Sequence, residues 1–296
     1  MPAKSIVIYG ATGFTGRLIV ERAIARGLAP ILAGRNAATT GALAAGHRLP
    51  FRVAAIDDPG SLRALLRGAG LLVNAAGPFR MTAAPLMDAC IAAGVHYTDI
   101  TGEVVALEAA VAKGPAAKRR RVMLLPAVGF DVLPSDCLAA QVHQRLPDAT
   151  HLAIAFDAPY SLSRGSMRTA AGQVADGVRL RRDGRLVSEQ GALFRRFDFG
   201  AGTRQATAIT FGDVTTAFAT TGVPNITTYL CAHPPVLLSV AAAPITSWLT
   251  SSGAGREWVD DLLAFIPEGP NARRRAAMSA TIVAEVTNAA GRRVAM

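Results

Sequence analysis

The sequence predicts an α/β fold, with a doubly wound parallel sheet followed by an α+β domain that has a mixed or antiparallel sheet. Short apolar runs and helix-forming segments alternate six times in the first half of the chain, as a parallel sheet buried on both faces requires. A glycine-rich turn separates the first strand from its helix. From His151 onward the strands alternate polar and apolar residues, which is typical of a sheet with one solvated face. We therefore predict two domains, 1–148 and 149–296.

The first strand and helix are joined by three glycines with the spacing G-x-x-G-x-x-G. An apolar strand covers 6–8, and helix-forming residues continue from Phe14. A glycine turn at this junction lets the backbone approach a pyrophosphate, and the helix directs its free N–H groups at the phosphates. The spacing is one residue looser than G-x-G-x-x-G, so a tight turn without a ligand is the alternative. We predict a Rossmann-type dinucleotide site formed by Gly10, Ala11, Thr12, Gly13, Phe14, Thr15 and Gly16.

The second strand ends at Gly34 and is followed by Arg35 and Asn36. In an NAD site the tip of this strand carries an acid for the ribose 2′-hydroxyl, whereas an arginine there accommodates the 2′-phosphate of NADP. Arg35 and Asn36 are therefore predicted to bind the cofactor and to favour NADP(H) over NAD(H). The alternative is that Arg35 is one more exposed arginine, since only three of the 31 basic residues in the chain are lysines.

The third and fourth strands end with further candidate cofactor contacts. Asp57 follows the third strand, 51–56, and is predicted to lie beside the adenine, whereas Asp58 precedes Pro59 and is predicted to cap a helix. The fourth strand is predicted at 70–79 and ends at the carboxyl edge of the sheet, where open α/β folds bind their ligands. Its small residues would let the backbone pass close to the nicotinamide ribose. The predicted contacts there are Asn74, Ala75, Gly77, Pro78 and Phe79.

Polar residues after the fifth and sixth strands are the candidates for catalysis. These strands are predicted at 95–103 and 122–125, with a helix at 84–93 before the fifth. Hydride transfer is carried by a nicotinamide, so the protein has to supply orientation and a proton donor. Packing is the alternative for Tyr97, and capping of a helix at 135–146 is the alternative for the residues after the sixth strand. The predicted catalytic residues are Tyr97, Asp99, Asp131 and Ser135.

The second domain is predicted from its alternating strands and a hairpin turn. The pair Asp183-Gly184 marks the turn, a helix over 164–180 is predicted to cross the sheet, and an apolar helix is predicted within 235–249. Residues 292–296 are predicted to lie in the second arm of a terminal hairpin. The other strands are predicted at 151–157, 191–199, 205–211 and 280–287.

Composition excludes several classes of protein. With 296 residues, 51% hydrophobic and 18% charged, the chain is globular rather than disordered. The most apolar stretch, 234–249, is short for a membrane span and contains three prolines. No leader-like segment precedes the first strand, so we expect a cytoplasmic protein without a transmembrane segment.

The cysteines and the net charge indicate which metals, small molecules or macromolecules the chain is expected to bind. Three dispersed cysteines form neither a disulfide framework nor a metal-ligand spacing, so no metal is expected. The net charge of +10 suits an anionic ligand. Nucleic acid is not expected as a partner, because the arginines are mostly scattered and no reading motif accompanies them.

Four motifs in the first half of the chain occur together in one known family. They are Gly10-Ala11-Thr12-Gly13-Phe14-Thr15-Gly16, residues 74–79, His96-Tyr97-Thr98-Asp99-Ile100-Thr101-Gly102-Glu103, and Gly129-Phe130-Asp131 with Pro134-Ser135-Asp136. This set resembles the saccharopine dehydrogenase-like NAD(P)-binding oxidoreductases, which include the trans-acting enoyl reductases. The resemblance implies a Rossmann domain followed by an α+β domain, with the active site in the cleft between them. Family members generally continue past the point where this chain ends, so we expect a C-terminally short member with an apparently truncated second domain.

A second family with the same glycine spacing is excluded by its chemistry. Short-chain and extended dehydrogenases need a tyrosine followed four residues later by a lysine, which lowers the pKa of the phenol. The four tyrosines of this chain are followed at that offset by Gly13, Thr101, Arg164 and His233.

The sequence therefore favours an NADP(H)-dependent oxidoreductase that transfers hydride to or from a C=N, C=C or C=O bond of a small or acyl substrate. The alternative is a non-catalytic NADP(H)-binding sensor or partner-binding protein, since the sequence shows no decisive catalytic acid. Contact of 234–249 with a membrane surface is a further alternative, and an unpaired terminal strand would suit a homodimer.

Overall fold

The computed structural model describes residues 5–158, 177–233 and 268–296, together with the single positions 164, 167 and 255. The chain divides into two compact units, Met1–Gly129 and Phe130–Met296. The first helix of the second unit, at Leu133–Gln144, precedes the domain boundary predicted at residue 148 and packs against elements of the second sheet.

The first unit contains a six-stranded parallel sheet. Its strands are β1 (Ser5–Tyr9), β2 (Ile31–Gly34), β3 (Phe51–Val53), β4 (Ala69–Asn74), β5 (His96–Asp99) and β6 (Leu124–Leu125). They lie in the order β3-β2-β1-β4-β5-β6, which confirms the predicted doubly wound Rossmann topology. The strand order reverses between β1 and β4, and the carboxyl ends of the strands at such a switch point are where these sheets bind ligands.

A helix follows each of the first five strands. The helices are α1 (Phe14–Ala25), α2 (Ala37–His47), α3 (Pro59–Leu65), α4 (Phe79–Ala93) and α5 (Val104–Arg120). The cap predicted for α3 is confirmed, because the Asp58 carboxylate accepts a hydrogen bond from Gly60 N at 2.8 Å and Pro59 opens the helix. The start predicted for α4 was residue 84, so the prediction was wrong by five residues.

Residues of β1 alternate between two apolar clusters, one on each face of the first sheet. Val7 and Tyr9 pack in a cluster with Leu72. Ile8, which points to the opposite face, packs in another cluster with Val20. Burial on both faces explains why the central strands are short continuous apolar runs.

The described residues of the second unit form an eight-stranded sheet, and it is mixed, one of the two kinds predicted. Its strands are β7 (Ala149–Asp157), β8 (Val178–Arg182), β9 (Arg185–Glu189), β10 (Phe194–Asp198), β11 (Thr203–Ala208), β12 (Asn225–Cys231), β13 (Thr281–Asn288) and β14 (Arg293–Ala295). The main path is β10-β11-β12-β7-β13-β14, with β8 paired to β12 and β9. The central pair β12 and β7 is parallel, whereas β7 and β13 are antiparallel.

Three helices of the second unit lie within the described residues. They are α6 (Leu133–Gln144), α7 (Asp213–Thr221) and α8 (Ala272–Ala276). Helix α6 packs against α7 and β13, and α7 also packs against β12 and β8. The predicted hairpin turn is confirmed, since Asp183 and Gly184 join β8 to β9 with φ values of 48° and 75°.

Two helices predicted for the second domain fall wholly or largely outside the described residues. The apolar helix at 235–249 lies entirely outside them, as does most of the helix at 164–180. Val178–Leu180 belong to β8, so the end of the second prediction was wrong. Helix α7 and strand β12 were not predicted. Within the part of the chain that is described, no helix combines the length and the apolar character needed to cross a bilayer.

Candidate cofactor site

The turn between β1 and α1 brings the backbone to the carboxyl edge of the first sheet. Gly10 N and Ala11 N donate to Ala33 O at 2.9 and 3.2 Å, and Ala75 N donates to Tyr9 O at 2.8 Å. The turn is thus held between the ends of β2 and β4. Gly10 has φ +81°, and a Cβ there would lie 2.7 Å from Ala76 N, so only glycine fits.

The three glycines of this turn have different steric roles. A Cβ on Gly16 would collide with the carbonyl oxygen of Gly10, whereas one on Gly13 would meet that oxygen at 3.4 Å, an ordinary contact. Gly16 therefore permits close packing of α1 on the turn. Gly13 is exposed and stands at the N-cap of α1 with no side-chain capping bond, and the first turn of the helix carries no acid. The N-terminus of α1 can thus receive an anion.

The other predicted residues of the turn line the same strand–helix junction. Ala11 and Gly16 are buried, and Thr12, Phe14 and Thr15 are half-buried. The seven predicted residues therefore form the turn after β1 and the first turn of α1.

The end of β2 carries an exposed arginine and a capping asparagine. Arg35 is exposed, whereas the Asn36 side chain accepts a hydrogen bond from Thr39 N at 3.0 Å and caps α2. Asp57 is also exposed and lies near the same edge. Burial raises the pKa of the Tyr9 hydroxyl, while the positive charge of Arg35 lowers it and the negative charge of Asp57 raises it. Both charged side chains therefore lie close enough to Tyr9 to act on its phenol.

The loop after β4 is fixed by a buried asparagine. Asn74 is fully buried, and its oxygen accepts from Ala76 N at 3.0 Å. Its amide donates to Thr82 Oγ1 and to the Tyr97 hydroxyl, both at 3.1 Å. The Thr82 hydroxyl in turn donates to Ala76 O at 2.6 Å. Both backbone polar groups of Ala76 are therefore held by buried side chains.

The predicted contacts after Asn74 lie in this loop and at the start of α4. Ala75 and Pro78 are half-buried, Gly77 is exposed, and Phe79 is buried as the first residue of the helix. Gly77 therefore presents backbone at the surface of the loop, next to the anchored Ala76.

The start of α4 is held by Glu103, which is distant in sequence. Its carboxylate oxygens accept from Phe79 N at 2.7 Å and from Arg80 N at 2.9 Å, so they satisfy two N–H groups of the first helical turn. Glu103 is 3% exposed, and its own backbone N–H donates to Thr101 Oγ1 at 3.0 Å. Glu103 therefore fixes the junction between the loop after β4 and α4.

Tyr97 and Asp99, two of the predicted catalytic residues, lie in the interior of the first unit. Both are fully buried, and the Tyr97 hydroxyl donates to Asp99 Oδ2 at 2.7 Å. The other carboxylate oxygen of Asp99 accepts from Ala127 N at 2.8 Å and Thr101 N at 3.0 Å. Burial raises the pKa of Tyr97, and the Asp99 charge raises it further. This geometry suits a positioning role better than direct proton donation to a substrate.

Asp131 and Ser135 belong to the second unit. Ser135 is fully buried in the first turn of α6, and its hydroxyl donates to Val132 O at 2.8 Å. Burial raises the pKa of Asp213, at the start of α7, to about 8. The charges of Asp136 and Asp131 raise it further, whereas a hydrogen-bonding contribution from Ser135 lowers it. Asp136 also accepts from the Thr220 hydroxyl at 2.8 Å. The second unit therefore contains an acidic group that includes a buried carboxyl.

Sequence reasoning missed Thr82 and Asp213 as residues that shape these sites, and it placed Glu103 at the carboxyl edge of the sheet without foreseeing its contact with α4. Glu103 stands in a motif that the sequence analysis noticed, but its contact with α4 spans 24 residues and no local pattern indicates it. The absence of a capping side chain at Pro78 was the available signal, since α4 needs a partner for its first N–H groups.

Comparison with known proteins agrees with this geometry. Residues 6–124 match the family model described as the saccharopine dehydrogenase NADP binding domain. The chain is 34% identical over 151 residues to a trans-acting enoyl reductase of Mycobacterium leprae, an alignment that covers 48% of this chain and 36% of that protein. It is 34% identical over 152 residues to a saccharopine dehydrogenase-like oxidoreductase of Arabidopsis thaliana, covering 46% of this chain and 34% of that one.

A solved structure resembles the whole chain. The apo saccharopine dehydrogenase (L-Glu forming) of Saccharomyces cerevisiae aligns with a TM-score of 0.58 and 12% identity, covering 99% of this chain and 84% of that one. At this identity the likeness shows a shared fold. The alignments to the two curated relatives, in contrast, span only about a third of their length.

The strand order and the glycine turn of the first unit are those of a Rossmann-type dinucleotide-binding domain. Residues 6–124 match the saccharopine dehydrogenase NADP binding domain and are similar to the curated relatives, so the resemblance indicated by the sequence motifs is confirmed for this part of the chain. The expectation of NADP as the cofactor agrees with that family.

Proposed function

We propose that this chain is an NADP(H)-dependent oxidoreductase that transfers hydride to or from a C=N, C=C or C=O bond, with the second domain contributing the substrate contacts. One observation carries the proposal. The turn at Gly10–Gly16 excludes side chains at two of its three glycines and presents an uncapped helix N-terminus without acids. This arrangement leaves room for a pyrophosphate and supplies N–H donors for it.

The residue that follows β2 favours NADP(H) over NAD(H) as the cofactor. The residue after Gly34 is the exposed Arg35, so the position that carries an acid in NAD sites carries a cation here. Arg35 would pair with the 2′-phosphate. Asp57, in the turn between β3 and α3, is proposed to lie beside the adenine.

The chain's own residues would act mainly by positioning. When bound, the nicotinamide supplies the hydride. Asn74 and Thr82 hold Ala76, and Glu103 holds the first turn of α4, so the backbone between them is fixed at the carboxyl edge of the sheet. Tyr97 and Asp99 orient Asn74 from within the core. A rigid loop of this kind would set the position of the nicotinamide ribose relative to the substrate.

Nicotinamide fluorescence during titration with NADPH, and separately with NADH, tests the cofactor assignment. Wild type should bind NADPH more tightly, and Arg35→Asp should abolish that preference because it places a negative charge beside the 2′-phosphate. Arg26→Asp is the matched control, since it makes the same charge change on an exposed arginine at the far end of α1. Absence of nucleotide binding by wild type, or an unchanged preference in Arg35→Asp, would contradict the proposal.

The second candidate function is a non-catalytic NADP(H) sensor. It is favoured by the complete burial of Tyr97 and Asp99, which removes two of the candidate proton donors from contact with a substrate. The relative from Mycobacterium leprae suggests enoyl thioesters as the first substrates to assay, followed by imino acids and simple carbonyls. NADPH oxidation with any of these supports the enzyme, whereas tight NADPH binding without turnover on all three classes supports the sensor.

Self-association is a further proposal for the second unit. Strands β10 and β14 stand at the two ends of the described strand order, and an edge strand can pair with a second copy of the chain. Sedimentation velocity over a range of concentrations would reveal a homodimer.

A further inference from the structure

Three side chains that can ligate a metal meet at one end of the second sheet. Strands β7 and β12 are parallel neighbours, with Phe156 paired to Leu230, so Asp157 and Cys231 end these strands side by side. His233 follows two residues later, and its backbone N–H donates to Cys231 O at 2.9 Å. The pairing of two strands, and not the spacing along the chain, brings the three residues together.

The ligating atoms are close enough to share one ion. His233 Nε2 lies 2.8 Å from Asp157 Oδ1, and the donor atoms of Asp157, Cys231 and His233 all lie within 4.8 Å of one another. Ligands that bind one zinc ion at 2.0–2.3 Å are separated by roughly 3–4 Å. Small side-chain rotations would therefore bring the three atoms to coordination distance.

The three residues differ in solvent exposure, which increases from Cys231 through Asp157 to His233. Cys231 is 1% exposed, whereas the side chains of Asp157 and His233 are 17% and 35% exposed. The thiol lies in an apolar cluster with Ala155, Ala206 and other small or aromatic residues, and the imidazole reaches solvent. An ion could therefore enter from the His233 side and meet a thiol in a water-poor environment.

The donor set selects the chemical class of the ion. Sulfur, imidazole nitrogen and carboxylate oxygen together suit zinc, while calcium and magnesium prefer oxygen ligands alone. We propose that Asp157, Cys231 and His233 form a three-ligand Zn²⁺ site in the second unit, with the fourth position open to water. The residues of this site are separate from the glycine turn in the first unit, and the proposal does not rest on the proposed oxidoreductase activity.

Arg204 accompanies the site on the neighbouring strand β11. Its guanidinium donates to Asp157 Oδ2 at 2.6 Å and is 46% exposed. The carboxylate can keep this bond and still offer Oδ1 to a metal, as ligating carboxylates commonly have an outer hydrogen-bond partner. Arg204 therefore leaves Oδ1 of Asp157, the oxygen that faces His233, for the ion.

Metal analysis of the full-length protein tests the site. After expression with added zinc and gel filtration, wild type should retain about one zinc per chain, and Co²⁺ substitution should give a thiolate-to-cobalt charge-transfer band. Cys231→Ser and His233→Gln should each lower zinc affinity by about tenfold or more and remove or weaken that band.

The other two cysteines supply matched controls. Cys90 is a buried thiol in α4 and Cys137 is an exposed thiol in α6, so Cys90→Ser and Cys137→Ser should leave zinc content unchanged. If Cys231→Ser does not fold, His233→Gln tests the site instead, because the His233 side chain is partly exposed and its loss should leave the protein folded. Circular dichroism checks that this variant is folded. Wild type that retains no zinc and gives no cobalt band, or zinc content unaffected by both ligand substitutions, would overturn the proposal.

Discussion

Gly13 and Gly16 share one motif but differ in what their backbone positions allow. We expect Gly16→Ala to destabilise the protein by about 1–3 kcal/mol or more, because the new methyl group would collide with Gly10 O and force α1 away from the turn. Gly13→Ala should change the free energy of unfolding by less than about 0.5 kcal/mol, since its Cβ meets only an ordinary contact. Urea unfolding of both variants checks this, and equal destabilisation would contradict it.

Tyr97 is expected to contribute through the hydrogen bonds of its hydroxyl. Tyr97→Phe leaves Asn74 Nδ2 and Asp99 Oδ2 each without one buried partner, so we expect a loss of about 1–3 kcal/mol. NADPH binding should weaken with it, because Asn74 also holds the loop through Ala76 N. Chemical denaturation and nucleotide titration measure the two effects. A variant with wild-type stability but no turnover would instead assign Tyr97 to the chemistry.

Asp213 should make the stability depend on pH. Burial raises the pKa of Asp213 in the folded state to about 8 from its ordinary value of 3.8, so the folded protein keeps a proton that the unfolded chain loses between these values. Stability therefore falls as pH rises from about 4 to 8, by up to about 1.4 kcal/mol per pH unit from this group. Asp213→Asn should remove that dependence and be more stable than wild type at pH 8. Urea midpoints at pH 5 and pH 8 test this; a parallel decline in both proteins would contradict it.

The residues of the glycine turn could be predicted because their constraint is local. A strand, a tight turn and the start of a helix follow one another within twelve residues, and this arrangement leaves no room for a side chain at Gly10 or Gly16. Packing was the alternative interpretation of Tyr97, but its complete burial could not be predicted, since it depends on how β5 packs against both α4 and α5. The sequence predicts that Arg35 lies at the end of a strand. It does not predict that Asn36 caps α2, because this depends on the residue at which the helix begins.

Among the elements, α4 depends on a side chain that comes after the next strand. We expect Glu103→Ala to destabilise the protein by about 2 kcal/mol, because two N–H groups at the start of α4 lose their acceptor. Glu103→Gln keeps one acceptor oxygen and should lose less. Thermal unfolding ranks the variants, and NADPH affinity should follow the same order. An alanine variant as stable as the glutamine variant would argue against the capping role.

The same contact explains why the start of α4 was predicted five residues late. No side chain close to Phe79 in sequence caps the helix there, and the carboxylate of Glu103, 24 residues away, supplies the acceptor instead. Strand β12 was missed for a related reason. Its residues include Ile226, Thr227, Thr228 and Tyr229, which favour a strand, but they do not indicate that it pairs centrally with β7 and β11.

At the scale of the molecule, the division into two units predicts separable behaviour. A fragment of residues 1–129 contains all six parallel strands and the whole glycine turn, so it should unfold cooperatively and bind NADPH with a Kd within about tenfold of the full-length value. Calorimetry and fluorescence titration of the fragment test this. A fragment without a cooperative transition would show that the sheet requires the remainder of the chain.

Strand β7 lies between β12 and β13, and β13 is synthesised much later. At about 5–20 residues per second, the roughly 120 residues that separate β7 from β13 leave the ribosome over about 6–25 s. Throughout that interval β7 has an open edge, with Leu152, Ile154 and Phe156 on one face and no β13 beside them. Nascent chains that stop before Thr281 should therefore be substrates for ribosome-associated chaperones, and slow codons between β7 and β13 should lower the yield of native protein.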